Sequence, residues 1–402
     1  MPAPAGSPGG RPIDPVANPY SPGAGKRPPA LAGRDDEIAA FDVAVRRLAL
    51  GRSDRSQVLT GLRGVGKTVL LREFRDIAAG HGWSCQHLEI GEGDNFVAQI
   101  AATARGALLD LSPGRRLMQA ASRVLGVLKS FQLSWDVPAA GTLTLTVDPV
   151  SGLADSGILQ RDLTDLLRAV AEHAAERDKG VVLTIDEIQN LPKEHLRSLV
   201  IALHEISQVD LPLLVAGAGL PSILGLLGEA RTYAERLFGF VEINSLDEEA
   251  AVRALAKPAS AEGVTWDDAA LEETLRRTAG YPYFLQEFGR QVWRTAEGPD
   301  RIIRQDVLDA APVAIAELDA GFFRVRMDRT TDAQRAYLSA MAAMGPGPHR
   351  SGDIARALGR RTTQLAPVRQ ALIVRGLCYS PRHDVLAFTV PMFDEFIRRH
   401  VD

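Results

Sequence analysis

At 402 residues the chain is long enough for two or three domains, and its 46% apolar and 24% charged residues exclude a wholly disordered or fibrous protein. Fifty acids against 46 lysines and arginines leave a net charge of −4, so no global basicity points to nucleic acid, and any such surface must be local. The two cysteines, Cys85 and Cys378, are too widely separated in sequence to suggest a disulfide framework or a cysteine-based zinc site, so a reducing, cytoplasmic setting is expected.

Residues 1–30 hold nine prolines and five glycines and read as a flexible tail, with Tyr20 in Asn18-Pro-Tyr-Ser-Pro-Gly as a side chain able to anchor its end. Met1 to Pro29 has no apolar core of the kind a secretory signal needs. The apolar run from Leu211 to Gly228 is broken by Pro212, Pro221 and four glycines, so it reads as a buried strand leaving into a loop, and no membrane association is expected.

From residue 31 to 244, strand-like and helix-like segments alternate, which is the pattern of a parallel sheet covered on both faces. The expected strands are 57–60, 84–90, 181–186, 213–217 and 240–244, with helices at 69–79, 159–177, 193–207 and 230–237 between them. A stretch from about 91 to 157 interrupts this order. Within it, Phe131, Leu133 and Trp135 alternate with polar residues, as do Leu143, Leu145 and Val147, so a β-hairpin is expected over about 131–147, either as decoration or as a surface for a partner.

Residues 245–318 read as all-helical, with a capping box at Ser245-Leu-Asp-Glu248, a second start at Trp266-Asp-Asp, and a third helix from Gly280 to Trp293. A small helical domain after such a sheet has the outline of a lid. From 322 to 402 the pattern is helix at 331–344, short helix at 351–358 with Ser351 as cap, helix at 362–375, and a hairpin of 377–380 with 385–389. That is the outline of a winged helix-turn-helix domain.

Gly61-Leu-Arg-Gly64-Val65-Gly66-Lys67-Thr68 directly follows the first strand and opens an amphipathic helix at Val69. In that setting glycines turn backbone N–H groups around a β-phosphate, Lys67 reaches the β and γ oxygens, and the Thr68 hydroxyl ligates magnesium. The strand Val181-Val-Leu-Thr-Ile ends in Asp186-Glu187, two carboxylates at the carboxyl end, where ligands bind in such sheets. Asp186 is expected to serve the magnesium ion and Glu187 to polarise the attacking water as general base.

These motifs, with Leu31-Ala-Gly33-Arg34-Asp-Asp-Glu37 upstream, resemble the AAA+ and STAND P-loop ATPases, especially the origin-recognition-like and archaeal-type branches. The resemblance covers roughly residues 31–293 and implies ATP and Mg2+ as ligands, with ADP as product. It implies that Gly33, Arg34 and Glu37 lie near adenine; a plain helix start, with Asp35 or Asp36 answering the helix dipole, is the other reading of this segment. Gly280-Tyr-Pro282-Tyr-Phe-Leu-Gln is similar to the Gly-x-Pro signature of lids in these relatives, which brings Pro282 to the nucleotide.

Two departures matter. The lid motif lacks the arginine that many AAA+ proteins carry, for which Arg290 is the nearest substitute. The fourth strand ends Ala216-Gly-Ala-Gly219, without the polar residue that relatives use to sense the γ-phosphate, so slow hydrolysis is one expectation. Arg231 and Arg236 are candidates for a finger reaching a neighbouring subunit, or else belong to a salt-bridged surface with Glu235.

Charge is segregated along the chain: residues 321–402 carry thirteen arginines, no lysine and seven acids, a net +6, which leaves −10 for the remainder. Arg360, Arg361, Thr362, Gln364 and Arg369 fall on or beside the third helix of the winged outline, and Arg382 at the wing tip, all placed for contact with DNA. In the relatives such a domain also serves as a nucleotide-gated brake. Two expectations therefore stand together: an ATPase whose nucleotide state controls a DNA-contacting domain, and a signalling or scaffold switch with little turnover that assembles with itself or with a protein partner.

Overall fold

The computed structural model describes residues 13–23, 25–113, 121–138, 147–230, 234–298 and 300–400. Contacts divide the chain into two units, one of residues 35–61 and 67–243, the other of residues 1–34, 62–66 and 244–402.

The first unit is a five-stranded, all-parallel sheet with helices on its faces. Its strands are β1 (Ser56–Thr60), β2 (Ser84–Glu89), β3 (Val181–Asp186), β4 (Leu213–Gly219) and β5 (Phe238–Glu242), in spatial order β2-β3-β4-β1-β5. One strand, β4, therefore lies between the strand that leads into the glycine-rich loop and the strand that ends in the acid pair. Every residue of β1, β3 and β4 is buried, as expected for central strands covered on both faces. The aliphatic runs of β3 and β4 are what made those two strands readable in the sequence.

Helices α1 (Asp35–Ala49), α2 (Lys67–Gly80), α3 (Phe96–Leu111), α4 (Ser122–Ser134), α5 (Leu159–Ala175), α6 (Lys193–Ser207) and α7 (Ile223–Ala230) complete this unit, with a single turn at Ala234–Leu237 before β5. The last core helix thus ends where the sequence pattern placed its start. Helix α1 opens with Asp35, Asp36 and Glu37 in its first turn, which answers the helix dipole. Phe41 of α1 stacks on Phe74 of α2 with centroids 4.0 Å apart.

The stretch after β2 corrects the sequence reading. Phe131 and Leu133, expected in a hairpin strand, lie in helix α4, and Trp135 is its C-cap. Burial supplies the reason: Val124, Leu125, Val127, Leu128 and Phe131 recur at helical spacing and enter the core cluster with α3 and α5. The short alternation at 131–135 is a slice of that longer period. Asp162, fully buried in α5, accepts from Trp135 Nε1 at 2.9 Å and from Ser156 Oγ at 2.6 Å, and so fixes the exit from this segment. Leu143 and Leu145 lie outside the described residues.

In the second unit, α8 (Glu248–Ala261), α9 (Asp268–Thr278), α10 (Pro282–Thr295) and α11 (Arg304–Leu318) pack together, and a two-residue parallel pair, β6 (Thr265–Trp266) with β7 (Arg301–Ile302), joins their loops. The N-cap of α8 is Asp247 rather than Ser245, because the Asp247 carboxylate accepts the Ala250 N–H at 2.7 Å. Residues at the end of the proline-rich segment belong to this helical core. Tyr20 is buried, donates its hydroxyl to the Leu255 carbonyl at 2.6 Å and accepts from Trp266 Nε1 at 2.8 Å. Ile13 is buried with it, and Trp293 Nε1 donates to the Asp14 carbonyl. Aromatic anchoring therefore fixes a segment that composition alone reads as tail.

After a π-turn at Asp319–Arg324 come α12 (Asp332–Ala343), β8 (His349–Arg350), α13 (Ser351–Ala357), α14 (Thr362–Val374), β9 (Cys378–Tyr379), β10 (Val385–Phe388) and α15 (Phe393–His400). The N-cap of α13 is Arg350, with Ser351 as its first helical residue. Strands β9 and β10 pair antiparallel, and β8 adds on the other side of β10. A chain of rings, Tyr283, Phe322, Phe323 and Phe393, runs from α10 to α15 with successive centroids 4.6 to 5.6 Å apart.

Candidate functional site

Within the first unit, the end of β1 delivers Gly61, and α2 begins at Lys67, so Lys67 and Thr68 sit at a helix N-terminus where N–H groups lack intrahelical partners. Lys67 Nζ donates to the carbonyl of Gly61 at 2.9 Å, so the ammonium lies back over its own loop. Thr68 Oγ1 donates to Asp186 Oδ2 at 2.5 Å, and the other oxygen of that carboxylate accepts the Glu187 backbone N–H at 2.8 Å. Asp186 is buried at the carboxyl end of β3, and its hydrogen bonds compensate for that burial.

Glu187 has φ of +50°, a left-handed conformation uncommon for a side chain of this size. It turns the chain out of β3 into the single 3-10 turn Ile188–Asn190. The Glu187 carboxylate accepts from Gln189 Nε2, and Gln189 Oε1 accepts the Leu220 backbone N–H at 3.1 Å. The chemistry of one hydroxyl and one carboxylate oxygen facing each other suits a hard cation such as magnesium, which keeps several of its ligands as water and phosphate oxygens. No group of three or more His, Cys, Asp or Glu arranged for a metal occurs among the described residues.

The tip of the glycine-rich loop belongs to the second unit. Gly64 and Gly66 have φ of +87° and +100°, which glycine adopts without steric cost. A Cβ on Gly64 would come within 3.1 Å of the Tyr281 ring. Tyr281 is buried, its hydroxyl has no hydrogen-bond partner among the described residues, and burial pushes its ionisation well above the ordinary phenol range. Arg34 donates to the carbonyls of Val65 at 3.3 Å and Asn244 at 2.5 Å. Gly33 has φ of +66°, and a Cβ there would meet Ala250 at 2.6 Å. In this unit Gly33, Arg34, Gly64, Val65 and Tyr281 therefore form one neighbourhood, and Pro282 follows directly as the first residue of α10. Loop residue Arg63 lies here too, its N–H donating to the Thr389 carbonyl at 3.4 Å.

The other expected residues are dispersed. Arg290 lies in α10 with its guanidinium 3.9 Å from Glu287. Arg236 is exposed in the turn before β5, and Arg231 lies outside the described residues. Arg360, Arg361, Thr362 and Arg382 are exposed; Gln364, in the first turn of α14, accepts the N–H of the N-cap residue Arg361, and Arg369 donates to Ser380 Oγ at 2.9 Å. The sequence reading did not single out Gln189 or Arg63. For Gln189 the available signal was an amide two residues beyond an acid pair.

Residues 30–216 match the family model of AAA ATPase domains, and residues 320–397 match a domain of unknown function, DUF8462. No curated protein matches the sequence. Among solved structures, the fold is similar to a Walker-type ATPase of Pyrococcus abyssi, at 16% identity and a TM-score of 0.57, covering 92% of this chain and 97% of that one. Looser similarities reach the Orc1 protein of Aeropyrum pernix in complex with DNA, at 14% identity, 92% and 93% coverage and a TM-score of 0.45. They also include the RuvB Holliday junction branch migration motor of Thermotoga maritima, at 17% identity, 92% and 96% coverage and a TM-score of 0.44. Strand order and glycine-rich loop together give the chain a P-loop NTPase fold of the AAA+ type, in which residues 30–216 are similar to AAA ATPase domains.

Proposed function

We propose that the protein binds ATP with magnesium and hydrolyses it to ADP and phosphate, and that its nucleotide state sets the behaviour of a C-terminal winged-helix domain that contacts DNA. The observation that carries the ATPase reading is the 2.5 Å contact between Thr68 and Asp186, made where Lys67 opens helix α2. In this reading Gly61, Gly64, Val65, Gly66 and Val69 contribute backbone to the phosphate cradle. Lys67 exchanges its carbonyl partner for phosphate oxygens, a charge-assisted contact stronger than the one it leaves. Thr68 and Asp186 hold the magnesium ion, which when bound neutralises charge on the phosphates. Glu187 accepts the proton of the attacking water, and Gly33, Arg34 and Pro282 border the base.

Lys67→Ala is expected to abolish ATP binding in calorimetry, whereas Glu187→Gln should bind ATP at near wild-type affinity and release no phosphate. Phosphate release at the wild-type rate by the glutamine variant would remove Glu187 from its role.

The DNA reading is supported by the +6 net charge of residues 321–402 and by the exposure of Arg360, Arg361, Thr362 and Arg382. The absence of any polar side chain in the β4 sequence Ala216-Gly-Ala-Gly219 favours a second reading. There the protein is a slow nucleotide switch whose last domain holds the molecule shut or recruits a protein or a second copy of the chain, with Arg231, Arg236 or Arg290 answering the phosphates.

A further inference from the structure

The end of β4, bare of polar side chains, is served by a residue from elsewhere. Gln189 spans from the Glu187 carboxylate, to which Nε2 donates, to the Leu220 N–H directly after β4, from which Oε1 accepts at 3.1 Å. Only one orientation of the amide satisfies both neighbours, because a flip would set oxygen against carboxylate and NH2 against N–H. Space for this arrangement depends on Gly219, where a Cβ would fall 2.7 Å from Gln189 Oε1. Gly219 is not among the residues of positive φ, so its lack of a side chain serves packing rather than backbone conformation. Glu187, by contrast, does hold a left-handed conformation, which persists only where surrounding contacts over-determine it.

We infer that Gln189 is a positioning residue for hydrolysis: its amide fixes the Glu187 carboxylate and ties it to the carboxyl end of β4, so that strand and base move as one. This rests on the reading of the site as an ATPase. It also assigns Gly219 a role, that of admitting the amide.

The test uses the full-length protein, with phosphate release for turnover and calorimetry for ATP affinity. Gln189→Ala and Gly219→Ala, which disturb the same contact from opposite sides, should each lower kcat about tenfold or more while the Kd for ATP stays within about threefold. The double variant should be no slower than the slower single variant, since each removes one shared interaction. Gln189→Met, of similar volume, replaces the alanine variant should that fail to fold, with thermal melting as the check. Unchanged kcat in the Gln189 variant, fully additive losses, or parallel losses in kcat and affinity would each overturn the assignment. Wild-type protein that binds ATP but releases no phosphate also overturns it and leaves nucleotide binding standing, whereas wild-type protein that binds no ATP removes the ATPase reading itself.

Discussion

Gly64 occupies a position where two demands coincide. Its φ of +87° is costly for a residue with a Cβ, and that Cβ would press on the Tyr281 ring at 3.1 Å. Gly64→Ala should therefore lower the unfolding free energy by about 1–3 kcal/mol and weaken ATP binding, read from urea midpoints and calorimetry. Unchanged values in both would mean that loop and ring adjust without cost. At the same scale, Thr68 and Asp186 illustrate what spacing can and cannot reveal. The two lie 118 positions apart, and the residue types signalled a shared ligand, but only folding the chain brings their oxygens within 2.5 Å. Gln189 lacked such a signal because its role depends on an empty volume at Gly219, and the sequence does not state where that volume lies.

At the scale of elements, aliphatic runs made strands β3 and β4 legible, and helix α6 falls at the residues its pattern predicted. Failures occurred where a short pattern competed with a longer one, as at α4, or where two capping side chains competed, as at α8. Helix α9 also shows how elements are tied together. Glu273, nearly buried, accepts from Arg276 at 2.6 Å and from Arg277 at 2.7 Å, and Arg304 of α11 lies 3.4 Å away. Hydrogen bonding from Arg276, and then from Arg277, holds the Glu273 carboxyl down at about 2 against an ordinary value of 4.5. Because the folded-state value is depressed, the stabilisation is fully present above about 4.5 and is lost as pH falls through about 2. Glu273→Gln should accordingly be less stable than wild type at neutral pH, with the two urea midpoints converging as the pH is lowered through that window. A gap that stays constant down to pH 2 would assign the stabilisation to packing instead.

Across the whole molecule, charge is unevenly distributed along the sequence. A net +6 over residues 321–402 within a chain of net −4 predicts DNA binding that weakens steeply with salt. Replacing Arg360 and Arg361 together by alanine should lower affinity for duplex DNA and reduce the slope of log affinity against log salt by about 2, measured by fluorescence anisotropy over a salt series. Absence of binding to any duplex or single strand at low salt would decide for the switch reading, with the arginines serving intramolecular or protein contacts.

The succession of the five core strands, the glycine-rich loop with its lysine, and the acid pair were determined by the sequence alone, because each depends on residues that are contiguous or repeat at a fixed period. Tertiary structure decided the rest: that residues 122–134 coil into the core, that Tyr20 anchors in the helical domain, that Arg63 and Gly64 have the partners they do, and that Gln189 reaches β4. These depend on which surfaces are left to be covered and which volumes are left to be filled once distant segments meet. Periodicity and composition encode neither quantity, since both arise only when the chain packs against itself.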